Sequence, residues 1–203
     1  ERGIVLCGNA TEAVNTVLRG QDWQAGDEIL MTSHGYPACW NTVQELSARY
    51  GVVAKLIDIP YPGPLSSAAE FNESVLAHTR AALSPRSRIL LVDHISSPTA
   101  LIFPVAELIE LARSNGTLSL IDGAHVPGQL PLSITELEPD FYVGNLHKWL
   151  FVPRAVSFLW VKEEQRQLLP LVISHGYHSA QRFQDCFSWT GTRDMTARMC
   201  VPA

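Results

Sequence analysis

RILLVDHISSPTALIFPVAELIELARSNGTLSLID, residues 88–122, carries the pattern that decides the fold. Residues 88–93 are a short β-branched and leucine run of strand length, bounded by polar residues. Residues 104–114 then place apolar side chains three and four apart, the spacing of one helix face. Residues 117–121 return to a strand-length run. Working outward, the same alternation recurs: strands are expected at 3–7, 28–32, 53–57, 141–144 and 157–161, and helices at 11–18, 37–50 and 68–83. Strands alternating with helices predict an α/β fold, a mainly parallel sheet with helices on both faces.

The chain has 203 residues, 46% of them apolar and 17% charged, enough to bury a core and too apolar for intrinsic disorder. Mean hydropathy is +0.06. No run reaches membrane-spanning length, and the longest apolar stretches, such as 155–161, suit buried strands, so no membrane role is expected. The net charge of −5 and the lack of a basic run exclude the electrostatic footprint of a nucleic-acid binder. A small molecule or another protein is the expected partner. Cys7, Cys39, Cys186 and Cys200 form no CxxC pair, and no leader sequence is evident, which predicts a reducing, cytoplasmic setting. The Pro/Gly/Ser cluster at 60–67 reads as a loop within one domain. A start at Glu1 within a strand-like run, and an end at Ala203 without a terminating signal, read as a piece of a longer protein.

In open parallel sheets, ligands bind beyond the carboxyl ends of the strands. The residues predicted there are Asn9 and Thr11, His34 and Tyr36, the stretch 94–99, Asp122 and His125, and the stretch 145–148. Lys148, flanked by Leu146, Trp149, Leu150 and Phe151, reads as an amine whose pKa desolvation lowers toward neutrality, fit for a Schiff base. It reads also as a lysine that snorkels to solvent. Asp122 is either a buried carboxylate in need of a cation, such as a protonated pyridine nitrogen, or a helix N-cap. Thr11, at a strand-to-helix junction, is either a phosphate ligand or an N-cap. His175, Tyr177 and His178 read as a solvated loop, or alternatively as the lining of a substrate entrance. Cys39 and Cys186 read as buried small residues rather than catalytic thiols.

An anion for a pyridinium, a phosphate site and an apolar lysine are together the requirements of pyridoxal phosphate binding. With these in view the chain resembles the class V aminotransferases, the fold-type I pyridoxal phosphate enzymes, and within them the isopenicillin N epimerase-like and hercynylcysteine sulfoxide lyase-like subgroup. The resemblance covers essentially the whole chain. It implies the aspartate aminotransferase-like large domain over residues 1–203, without the family's N-terminal segment and C-terminal small domain. GNATEAVN (8–15) is similar to the family's phosphate cup, which implies Thr11 and the Ala10 N–H as phosphate ligands. TSHGYPACW (32–40) resembles the segment whose histidine stacks on the cofactor ring, implying His34. DHISSPTALIFPV (93–105) implies Ser97, with Thr99 nearby, at the phenolic oxygen. IDGAHVPGQLPL (121–132) implies Asp122 at the pyridinium and His125 by the phenolic oxygen. DFYVGNLHKWL (140–150) implies Lys148 as the Schiff-base lysine, with His147 as a phosphate or structural neighbour. WTGTRD (189–194) implies that Thr192 reaches the phosphate of a facing subunit, hence a homodimer.

The resemblance implies an enzyme that acts on an amino acid. Lys148 is the expected base at the α-carbon, and Tyr36 a phenol able to protonate a departing sulfenate or thiolate. That favours a C–S lyase, with an epimerase or a transaminase as alternatives. No cysteine stands out as the mobile persulfide carrier of a desulfurase. The residues also admit a metallohydrolase reading on Asp93, His94, Asp122, His125, His147 and His34, although the Asp122–His125 spacing is loose for metal ligands and Lys148 then has no task. A third reading is a non-catalytic fragment, since the arginine that grips the substrate carboxylate in relatives lies outside the chain.

Overall fold

The computed structural model describes residues 3–63, 67–179 and 182–201, with the side chains of His178 and Ser179 outside the description. Seven strands, β1 (Ile4–Cys7), β2 (Glu28–Thr32), β3 (Val53–Ile57), β4 (Ser87–Asp93), β5 (Leu118–Asp122), β6 (Phe141–Asn145) and β7 (Ser157–Val161), make one sheet in the order β1-β7-β6-β5-β4-β2-β3. The pairs β2–β3, β2–β4, β4–β5 and β5–β6 are parallel. β7 runs antiparallel to both β1 and β6. The expected α/β architecture is present, with that one reversed strand.

Four long helices cover the sheet: α1 (Ala10–Arg19), α2 (Pro37–Tyr50), α3 (Ala68–Ala82) and α4 (Val105–Ser114). Asn9 caps α1, its side chain accepting from the Glu12 N–H at 2.8 Å, and the helix buries Ala10, Ala13, Val14, Val17 and Leu18 at helical spacing. Pro37 opens α2 where no N–H is needed. Gly51, at φ 72°, closes it in a left-handed conformation that favours glycine. Ser67 and Glu70 form a capping box on α3.

Alternation along the strands divides the core between two faces. Ile29, Met31, Ile89, Leu91, Leu120, Phe141 and Val143 pack with α1 and α2. Leu30, Leu90, Val92, Ile121 and Tyr142 pack with α3 and α4. Burial on both faces is why β2, β4 and β5 read as continuous apolar runs rather than alternating ones.

Among the described residues the later chain has only short helices, α5 (Ile134–Leu137), α6 (Gly176–Ser179), α7 (Phe183–Ser188) and α8 (Thr196–Met199). α6 forms where a loop is expected, and Tyr177 on it is exposed. Residues 60–63 carry no regular structure, and 64–66 of the same predicted loop lie outside the described residues. No described helix is long and apolar enough to cross a membrane.

Leu91 sits at the centre of the sheet with no exposed surface. Leu91→Ala is expected to cost about 2–5 kcal/mol, read as a lower urea midpoint with an unchanged slope. A change within about 0.5 kcal/mol, the range of ordinary surface substitutions, contradicts a packed α1/α2 layer at that position.

Candidate active site

A cavity of about 410 Å³ opens at the carboxyl edge of β1, β4, β5 and β6. Its walls bring together Ala10, Thr11, Tyr36, Ser97, Asp122, His125, His147 and Lys148, eight of the residues given a cofactor or catalytic role under the family resemblance. Asn9, Asp93, Ala124 and Asn145 complete it.

Parallel pairing sets Asp93 directly beside Asp122. Only 3% and 4% of these two residues is exposed, so both carboxyls sit in a low-dielectric site. Burial raises the Asp93 pKa well above the ordinary carboxylate value and the neighbouring Asp122 charge raises it further, against bonds from the Ser97 and Tyr36 N–H groups. Burial also raises Asp122, opposed by the Ala124 N–H, by the Lys148 charge and by the Cys39 thiol. The Ala124 N–H donates to Asp122 Oδ1 at 3.0 Å, and Cys39 Sγ lies 3.7 Å from Oδ2. Two buried acids with a single half-buried amine nearby leave room for another positive charge.

Lys148 Nζ lies 2.9 Å from His125 Nε2, and His125 Nδ1 accepts the Trp149 indole N–H at 3.1 Å. Burial lowers the Lys148 pKa and outweighs the opposing charges of Asp122 and Asp93. Burial, then the Lys148 charge, lowers that of His125. His147 lines the cavity with its Nδ1 tied to the backbone of Val156, 2.7 Å from the carbonyl oxygen.

At the start of α1 the structure departs from expectation. The Ala10 N–H is not free for a ligand, because it donates to Asn145 Oδ1 at 2.9 Å across the sheet edge. The Glu12 N–H is taken by the Asn9 cap, and the Glu12 carboxylate folds back onto the Gly8 N–H at 2.9 Å. Thr11 keeps an N–H and a hydroxyl without partners among the described residues, at the positive end of a ten-residue helix.

His34 is the second departure. A turn after β2, closed by the Gly35 N–H on Thr32 O at 3.0 Å, directs His34 away from the cavity. Its Nε2 lies 2.8 Å from Ile59 O and its Nδ1 3.1 Å from Thr99 Oγ1. Tyr36, two residues on, takes the place on the cavity wall. Thr99 is thereby committed to His34 and Ser96, while Ser97 faces the cavity. Thr192 is exposed in the segment between α7 and α8, away from the cavity.

Of the six residues of the metallohydrolase reading, Asp93, Asp122, His125 and His147 line the cavity, but they are not grouped as metal ligands. His34 turns to Ile59, His94 bonds through Nδ1 to the Tyr142 hydroxyl at 2.9 Å, and His147 turns to Val156. Among the described residues no three His, Cys, Asp or Glu side chains are grouped to hold a metal. Asp93 as the in-register neighbour of Asp122 is the residue that sequence reasoning missed. The signal was present, since the β4 and β5 runs both end in aspartate.

Comparisons with known proteins agree with this architecture. The chain is 35% identical to isopenicillin N epimerase of Streptomyces clavuligerus, over 98% of its own length and 52% of the relative's. It is 30% identical to hercynylcysteine sulfoxide lyase of Schizosaccharomyces pombe, over 86% of its length and 43% of the relative's. The solved structure of the cystine C–S lyase C-DES in complex with its reaction product, cysteine persulfide, superposes with a TM-score of 0.78 at 26% identity, covering 92% of this chain and 51% of that one. A C-DES mutant with glycine covalently linked to its PLP cofactor superposes with a TM-score of 0.79, also at 26% identity, covering 92% of this chain and 50% of that one. The chain thus spans about half the length of the relatives it matches. The family model described as Aminotransferase class-V matches residues 1–195, and the chain belongs to that family.

Proposed function

We propose that the cavity binds pyridoxal phosphate and that the chain is the cofactor-binding large domain of an enzyme cleaving a C–S bond in a cysteine-derived amino acid. The observation that carries this reading is the opposition of two buried, charge-hungry carboxyls, Asp93 and Asp122, to the depressed Lys148 amine on one cavity wall.

The residues fit the group. Asp122 is the seat for a protonated ring nitrogen, and Thr11, with its free N–H and hydroxyl at the start of α1, is the seat for the phosphate. Lys148 presents a nucleophilic amine for the aldehyde. His125 and Ser97 would serve the phenolic oxygen, and His147 would be a phosphate or structural neighbour. When bound, the cofactor supplies an electron sink for bond cleavage at an amino-acid α-carbon. Lys148 Nζ, uncharged, takes the α-proton. The Tyr36 hydroxyl, on the same cavity wall, hands a proton to the departing sulfur.

Likeness to a cystine C–S lyase and to a hercynylcysteine sulfoxide lyase supports elimination. Tyr36 and the likeness to isopenicillin N epimerase keep a second reading, in which Tyr36 returns the proton to the opposite face. The arginine for the substrate carboxylate is assigned to the part of the enzyme outside this chain. Exposed Thr192 is left to serve the facing subunit of a homodimer. Four free cysteines suit a reducing, cytoplasmic setting.

The protein with any native flanking sequence is expected to take up pyridoxal phosphate with a visible absorbance that borohydride removes, fixing the cofactor to the Lys148 peptide. Lys148→Ala abolishes that fixation, and fixation at Lys55 or Lys162 instead contradicts the site. Pyruvate and ammonia released from S-substituted cysteine sulfoxides support the lyase. Inversion at the α-carbon without pyruvate replaces it with the epimerase.

Asp93 offers a test through stability. Its folded pKa is raised, so its ionisation disfavours the fold once the pH passes the ordinary aspartate range. Asp93→Asn, which still accepts N–H bonds, is expected to raise the melting temperature of the cofactor-free protein at pH 7–8. The gain shrinks as the pH falls toward that range, where the aspartate is itself neutral. A gain independent of pH contradicts the buried-acid origin.

A further inference from the structure

We propose that Trp149 is a positioning residue: its indole N–H fixes His125 as the Nε2–H tautomer, and that tautomer holds Lys148 as the uncharged amine. The inference rests on hydrogen-bond geometry and stands whichever ligand the cavity takes.

An indole N–H donates and cannot accept. Its bond to His125 Nδ1 at 3.1 Å therefore requires a lone pair on Nδ1. A neutral imidazole carries one ring proton, which is then on Nε2. Nε2 lies 2.9 Å from Lys148 Nζ, so the N–H is aimed at the lysine nitrogen. An ammonium has three donors and no acceptor, and only the free amine has a lone pair to receive this bond. Protonating Lys148 forces His125 to turn its Nε2 into an acceptor and to place a proton on Nδ1, against the indole N–H. One exposed side chain thus sets the protonation of the nitrogen two bonds of the relay away.

The backbone holds the relay together. Gly128, at φ +88°, follows His125 in the same loop, and a Cβ there would lie 2.6 Å from the Trp149 carbonyl carbon and 2.9 Å from the Leu150 nitrogen. This close approach clamps the loop carrying His125 to the segment carrying Lys148 and Trp149. Gln129 Nε2 donates to the His125 carbonyl at 2.7 Å and steadies the same turn.

Other groups act on Lys148 as well. Asp122 from β5 and Asp93 from β4 favour its charged form, while burial opposes it. Tyr36 ahead of α2 and His147 after β6 line the same cavity without a bond to the amine. The two acids alone would draw a proton onto Lys148. Burial counters them, and the Trp149–His125 relay adds a directed N–H that only the free amine can accept.

The first measurement is the histidine ring ¹⁵N spectrum of the protein in its cofactor-loaded and cofactor-free forms, with His125 assigned by its loss in His125→Gln. The expected result is a protonated Nε2 and an unprotonated Nδ1 in both forms. A proton on Nδ1 overturns the proposal. The second is the pH dependence of Lys148 acetylation by acetic anhydride in cofactor-free protein, with Lys55 and Lys162 as internal references. Trp149→Phe keeps an aromatic ring and removes the N–H. It is expected to move the Lys148 midpoint up by about one pH unit, a tenfold loss of free amine at a given pH. An unmoved midpoint overturns the proposal, whether labelling is unchanged or falls equally at every pH, because the indole then only packs.

Discussion

The parallel register of β4 on β5 is the constraint on which the rest of the site depends. It aligns Val92 with Ile121 and so delivers Asp93 and Asp122 side by side at the sheet edge. A slip of one residue on either strand would turn one carboxyl to the opposite face and bury a leucine edge in the cavity. The apolar alternation of both strands against two helix layers makes such a slip costly. Core packing and site geometry are therefore set by the same pairing.

Close packing keeps the end of β5 in place. Gly123 follows Asp122, and a Cβ there would overlap the Tyr142 ring, which lies beneath it. Tyr142 in turn stacks on Phe158 with an interplanar angle of 5° and bonds through its hydroxyl to His94 Nδ1. Burial pushes the pKa of His94 down to about 4, so this histidine stays neutral and serves the packing. The polar edge rests on an aromatic floor that belongs to the α3/α4 face.

The strands and the long helices were legible because hydrophobic periodicity is local. The reversed direction of β7 was not, since the apolar run at 157–161 is identical for a parallel and an antiparallel neighbour. Short helices α5 to α8 are too brief to show a period. At the site, strand-end position identified Lys148, Asp122, His125 and Ser97 as cavity residues. It placed His34 there too, because nothing local distinguishes His34 from Tyr36 until the Thr32–Gly35 turn is known. The Ala10 N–H was lost as a ligand donor to Asn145, 135 residues later, a pairing with no signature in the chain. Asp93 was read only as a candidate metal ligand for a related reason: one acid at a strand end is ordinary, and its meaning comes from its neighbour across the ladder.

Burying Asp93 and Asp122 together disfavours the empty chain, since burial raises the pKa of each acid and the Asp122 charge raises that of Asp93 further. A cation in the cavity reverses both effects at once. On the proposed function, the electrostatic penalty of the empty site becomes part of the affinity for a positively charged ring, because binding to the folded state alone stabilises it by mass action. Lys148 cannot be that cation if it is to act as a nucleophile. On the same proposed function, burial that depresses the Lys148 amine leaves the acids without a full counter-charge from the protein, and the proposed Trp149–His125 relay works in the same direction, so that the counter-charge is left for the ligand to supply.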